Sequence, residues 1–214
     1  MRFKTAGTST VAGIAVAASV ALSFAAADRP ARADVDRIIA SWPATPQKVA
    51  RETIAKHGAP HEASPSMLVW QGTGPWKRTI LYRDEVPHEF PMKHTDLLEQ
   101  FVDYRVPVER ISDVAAYDGS VVVERTKGEV SARCDMEEMN YLALNLMHDV
   151  ATARRSVEEA RRFYGETAAA FMAGKPNPYV EGLLFTPQAG AADLDTPLLG
   201  AVMRGMAEGM TDKG

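Results

Sequence analysis

Apolar positions recur along this chain with two periods, and the changes of period mark out its elements. Met136, Met139, Ala143, Leu146, Met147 and Val150 form a helical stripe, widened by Leu142 and Leu144, which predicts a central core helix. Val157, Ala160, Tyr164, Thr167 and Phe171 form a second stripe. Asp135 with Glu138, and Ser156 with Glu159, have the spacing of capping boxes at the starts of these two helices. Val35, Ile38, Ile39 and Trp42 predict a short helix from Asp34, and Thr45-Pro46 opens another that stops before Gly58. Alternation replaces helical spacing in two places. Met67–Trp70 and Trp76–Arg83 predict a hairpin around Gly72-Thr73-Gly74-Pro75. Ser120–Thr126 and Glu129–Cys134 predict another, turned by Lys127-Gly128, with Val121, Val123, Val130, Ala132 and Cys134 facing inward. Phe101–Val106 favours strand, and Pro107 opens a short helix. Pro87 and Pro91 predict an irregular connection carrying His88 and His94. The fold class is therefore α+β, an antiparallel sheet built from hairpins with helices packed on one face.

The ends of the chain follow different patterns. Arg2 and Lys4 precede an uncharged apolar stretch from Val11 to Ala27, and Ala31-Arg32-Ala33 has the form of a cleavage site. Residues 1–33 are expected to be a cleaved signal peptide, with a second possible cut after Ala27. The stretch is short and rich in small residues for a spanning helix. A soluble protein in a periplasm or outside the cell is the expectation, with no transmembrane segment after cleavage. Residues 34–174 are expected to form one domain. Residues 175–214 are rich in Pro, Gly, Ala and Asp and predict a loosely docked tail. A weak amphipathic helix follows Thr196-Pro197, with Leu198, Leu199, Val202, Met203, Met206 and Met210 on one side.

Composition narrows the function classes. The 214 residues carry a formal net charge of -4, and loss of residues 1–33 would remove four basic residues and one acidic one, leaving -7. An acidic chain argues against nucleic acid as a partner. One cysteine excludes an internal disulfide framework and a multi-cysteine metal site. No G-x-S-x-G, H-E-x-x-H or P-loop occurs, so no catalytic residue is assigned.

Three stretches carry a resemblance. They are Gly74-Pro75-Trp76-Lys77-Arg78-Thr79, the run from Glu99 to Pro107, and the run from Ser131 to Asn140. Across roughly residues 42–185 the chain resembles an uncharacterised group of exported bacterial proteins, a resemblance that implies export and no activity. Residues 46–84, with Gly58-Ala59-Pro60 followed by a strand carrying Trp70, are similar to the repeat of small envelope lipoproteins and β-lactamase-inhibitor-like domains. Those are binding modules, and this chain lacks their lipid-anchoring cysteine.

Three sets of side chains are candidates for chemistry. His88 and His94 with Asp96 offer two imidazoles and a carboxylate, a ligand set for a divalent ion such as zinc, and His148 could add a fourth group. Cys134, the lone thiol, could be reactive at a helix start or could be a small core residue. Trp70, Trp76 and Tyr82 with Lys77 and Arg78 could form an aromatic and basic platform for a ligand, or belong to the core. The leading expectation is a binding or interaction protein for a protein partner or small ligand. The alternatives are a metal-dependent protein or enzyme using His88 and His94, and a thiol protein using Cys134.

Overall fold

A computed structural model describes residues 29–204. The expected signal segment lies outside them except for its last five residues. The elements run α1 (Arg32–Ala40), α2 (Ala44–His57), β1 (Glu62–Ala63), β2 (Met67–Thr73), β3 (Trp76–His88), β4 (His94–Asp103), a 3-10 turn (Val108–Arg110), α3 (Ile111–Tyr117), β5 (Val121–Glu124), β6 (Glu129–Cys134), α4 (Glu137–Ala151), α5 (Val157–Met172) and α6 (Pro178–Glu181). The strands form one open antiparallel sheet in the order β1-β2-β3-β4-β6-β5. The α+β class expected from the alternation is the class observed. No described helix is long and apolar enough to cross a membrane.

Register explains which face the helices cover. Leu68, Leu81, Leu98 and Cys134 lie in one row across four strands. Trp70, Thr79, Gln100, Ala132 and Val121 form the row beside it. Every member of both rows is buried. Because side chains alternate along a strand, these rows share one face. Two apolar clusters form on it. Val35, Ile39, Trp42, Val49 and Ala50 of the first two helices and their junction pack with Leu68, Trp70, Leu81 and Leu98. Leu142, Leu144, Leu146 and Met147 of α4 pack with Val102, Val130, Ala132 and the inner sides of α3 and α5. The opposite face carries polar pairs, such as Tyr82 with Glu99 and Arg78 with Glu129.

Several local expectations change. The helix at residue 137 is preceded by Met136 in extended conformation, with no side-chain cap, so Asp135 does not cap it. The Ser156–Glu159 capping box is present with both of its bonds. The second hairpin turns through the four residues Arg125–Gly128, closed by Gly128 N–H donating to the Arg125 carbonyl, because Glu124 pairs with Glu129. Gly128 adopts φ 65°, and a Cβ there would meet the Ala191 backbone at 2.2 Å. Only glycine serves that turn and that close approach together. The tail segment is fastened at several points. Asn145 donates to the Tyr179 and Gly182 carbonyls and accepts from Leu184 N–H. The Gln188 N–H donates to the Asp103 carbonyl, and Arg125 pairs with Asp193 at 2.8 Å.

The largest departure concerns residues 84–94. Residues 84–88 and His94 are strand, and the irregular connection shrinks to residues 89–93. β3 continues to His88, and β4 begins at His94 directly opposite. Past Tyr82, which pairs with Met67, β3 has no neighbour in β2. Pro87 therefore sits on a free edge, where its missing N–H removes no ladder bond. A bulge between Leu81 and Val86 re-aims this end of the hairpin.

Candidate metal centre

The hairpin end brings His88 and His94 face to face, with ring centroids 4.9 Å apart. Asp96 follows two residues after His94, so its side chain leaves the same face of β4. Its carboxylate is 2% exposed. His88 Nδ1 lies 3.3 Å from Asp96 Oδ2, and His94 Nε2 lies 3.1 Å from Asp96 Oδ1. One donor atom from each of the three residues falls within 4.8 Å of the other two. In a tetrahedral zinc site with bonds of about 2.0–2.1 Å, neighbouring ligand atoms stand about 3.3 Å apart. The two separations, one to each oxygen of Asp96, are of that size.

Surrounding groups orient the three. His94 Nδ1 donates to the Met92 carbonyl at 2.8 Å, which turns Nε2 inward. This is the arrangement by which a ligating histidine is usually aimed. Ser120 Oγ donates to Asp96 Oδ2 and lies 3.2 Å from His88 Nδ1. Asp118 accepts from Ser120 N–H and stands 3.9 Å from His88 Nε2. Asp96 Oδ1 is faced by His94 Nε2 at ion-pair distance, 3.1 Å.

The electrostatics follow from this packing. Asp96, assisted by the Cys134 sulfur and the Met92 carbonyl, pushes the His94 pKa up to about 11 against the cost of burial. The imidazolium is thus the cation that faces Asp96 when no metal is bound. Burial alone would raise Asp96, but His94, Ser120 and His88 outweigh it and hold the carboxyl below its usual range. Burial raises Asp118, and the Ser120 N–H and His88 offset only part of that.

The other sequence candidates fall elsewhere. His148 is not in the cluster. Its Nδ1 is 2.7 Å from the Tyr104 hydroxyl, and its ring stacks on Phe185. The aromatic platform does not form. Trp70 is fully buried and donates to the Gly58 carbonyl, and Trp76 is buried against Tyr141 and donates to Glu137. Burial of an indole is worth about 4–6 kcal/mol at 25 cal/mol per Å², which a solvent-facing platform would forfeit. Lys77 and Arg78 are engaged by Glu129 at 2.8 Å each, Lys77 also by Asp103, and Tyr82 donates to Glu99. Cys134 is 5% exposed, and burial raises its pKa, with His94 opposing, which fits the small core residue of the two alternatives rather than a reactive thiolate. It borders a cavity of about 210 Å³ that His94 also lines.

Sequence reasoning missed Asp118 and Ser120, which it used only to end one element and begin the next. Their role depends on α3 returning the chain beside the hairpin end, and no spacing encodes that. Comparison with known proteins returns no matching family model, no matching curated protein and no matching solved structure.

Proposed function

We propose that this is an exported metal-binding protein whose ion is held by His88, His94 and Asp96. The observation that carries the proposal is the convergence of one donor atom each from His88, His94 and the buried Asp96 within 4.8 Å of one another. Two nitrogens and a carboxylate suit a first-row transition ion better than magnesium or calcium, which prefer all-oxygen sites. An ion there would displace the proton on His94 Nε2, and Ser120 would keep its bond to Asp96. Three protein ligands leave a position for a further group, as in sites where metal meets a second molecule. Export rests on the basic start, apolar stretch and A-x-A site of residues 1–33.

Equilibrium dialysis with zinc tests the assignment. The expected result is one zinc per chain for the natural protein and none for His88→Ala/His94→Ala or Asp96→Asn. Zinc retained by all the variants, or absent from the natural protein, contradicts it.

A further inference from the structure

Resting on that reading, we propose that the second molecule meeting the ion is a small oxyanion, a carboxylate or phosphoryl group, held by Arg133 in the cavity that borders Asp96. The cavity lies where β3 runs on past the start of β2 and has a volume of about 330 Å³. That is within the range of small-molecule sites. Tyr82, Asp84 and Val86 of β3 line it together with Asp96 of β4 and Arg133 of β6. A carboxylate of the metal cluster and a guanidinium thus border one space.

Arg133 differs from the other half-buried arginines of the described residues. Arg78, Arg83, Arg110, Arg125 and Arg155 are each ion-paired with an Asp or Glu. Arg133 has no ion pair and no side-chain hydrogen bond among the described residues, and its Nε is buried without a partner. Glu99, directly across from it on β4, is already engaged, because Tyr82 donates to one of its oxygens and Ser131 to the other. Asp84 is tied to Arg83 by two hydrogen bonds, and Asp96 is held by His94 and Ser120. The one uncompensated charge on the cavity wall is therefore positive. A guanidinium partly withdrawn from water and left unpaired is costly, and its planar fork fits the paired oxygens of a carboxylate or phosphoryl group. A divalent ion on Asp96 adds positive charge beside the same cavity, so an anion gains further attraction there.

Isothermal titration calorimetry with methylphosphonate and with propionate, on the full chain zinc-free and loaded with one zinc, tests this. One anion per zinc-loaded chain is expected, and the tighter of the two probes identifies the head group. Affinity should fall about tenfold or more without zinc. It should also fall about tenfold or more in zinc-loaded Arg133→Gln, as expected for loss of a charge-assisted contact. Arg133→Lys keeps the charge but not the fork, and should recover only part of that loss. Val86→Trp, at an exposed position on the cavity wall, leaves the arginine in place and should also weaken the anion by crowding. Unchanged affinity in Arg133→Gln, equal affinity with and without zinc, or no binding of either probe would overturn the inference. Dialysis reads the zinc content of the same proteins separately. A natural protein that holds zinc and ignores both anions contradicts this inference alone, whereas one that holds no zinc contradicts the metal assignment.

Discussion

Glu137→Ala is expected to destabilise the protein by about 3–5 kcal/mol, the usual cost of stranding the partners of a buried charge. Glu137 begins α4 with its side chain 6% exposed. Its Oε2 lies 2.6 Å from His57 Nε2 at the end of α2, and its Oε1 accepts from Trp76 Nε1 and the Tyr141 hydroxyl. Lys56 adds a contact at 3.4 Å. One carboxylate thus joins the two apolar clusters, and its removal leaves several donors without an acceptor. Glu138, more exposed and paired with Lys56 alone, is the control, and Glu138→Ala should change stability by less than about 1 kcal/mol. Urea unfolding at neutral pH measures both, and equal small losses would contradict this account. Burial pushes Glu137 up, but His57 and Trp76 outweigh it and hold its folded pKa below the ordinary value. Its stabilisation is therefore complete above the unfolded pKa, near 4.3 for glutamate, and is lost as pH falls through the depressed folded value.

The second large effect is metal-linked stability. Free zinc at 100 times its Kd should stabilise the natural protein by about 2.7 kcal/mol, raising Tm by roughly 5–10 °C. Asp96→Asn should show no zinc-dependent shift, and magnesium should shift neither protein. Scanning calorimetry with and without each ion decides the matter. A zinc shift of the same size in Asp96→Asn would mean that the ion binds elsewhere.

What the sequence made legible follows from which forces act locally. The alternation of Val130, Ala132 and Cys134 placed the cysteine inward correctly, because pleating needs only neighbouring residues. The Ser156–Glu159 box was likewise readable from four residues. Pro87 and Pro91 hid the strand ends at His88 and His94, since a proline on a free edge and one in a turn both look like breakers. Once those two histidines are known to pair, the closeness of Asp96 follows from its two-residue offset. The His57–Glu137 pair could not have been found this way, as 80 residues separate its members. The two tryptophans were ambiguous for a similar reason. Alternation gave their faces, but only the helices packed above show that those faces are closed.

X-ray absorption at the zinc edge, on protein loaded with one equivalent, tests the central assignment most directly. The account predicts a nitrogen and oxygen shell with the multiple-scattering signature of two imidazoles, reduced to one in His88→Ala if that variant retains any zinc. A first shell without imidazole, or a spectrum unchanged by His88→Ala, would contradict it.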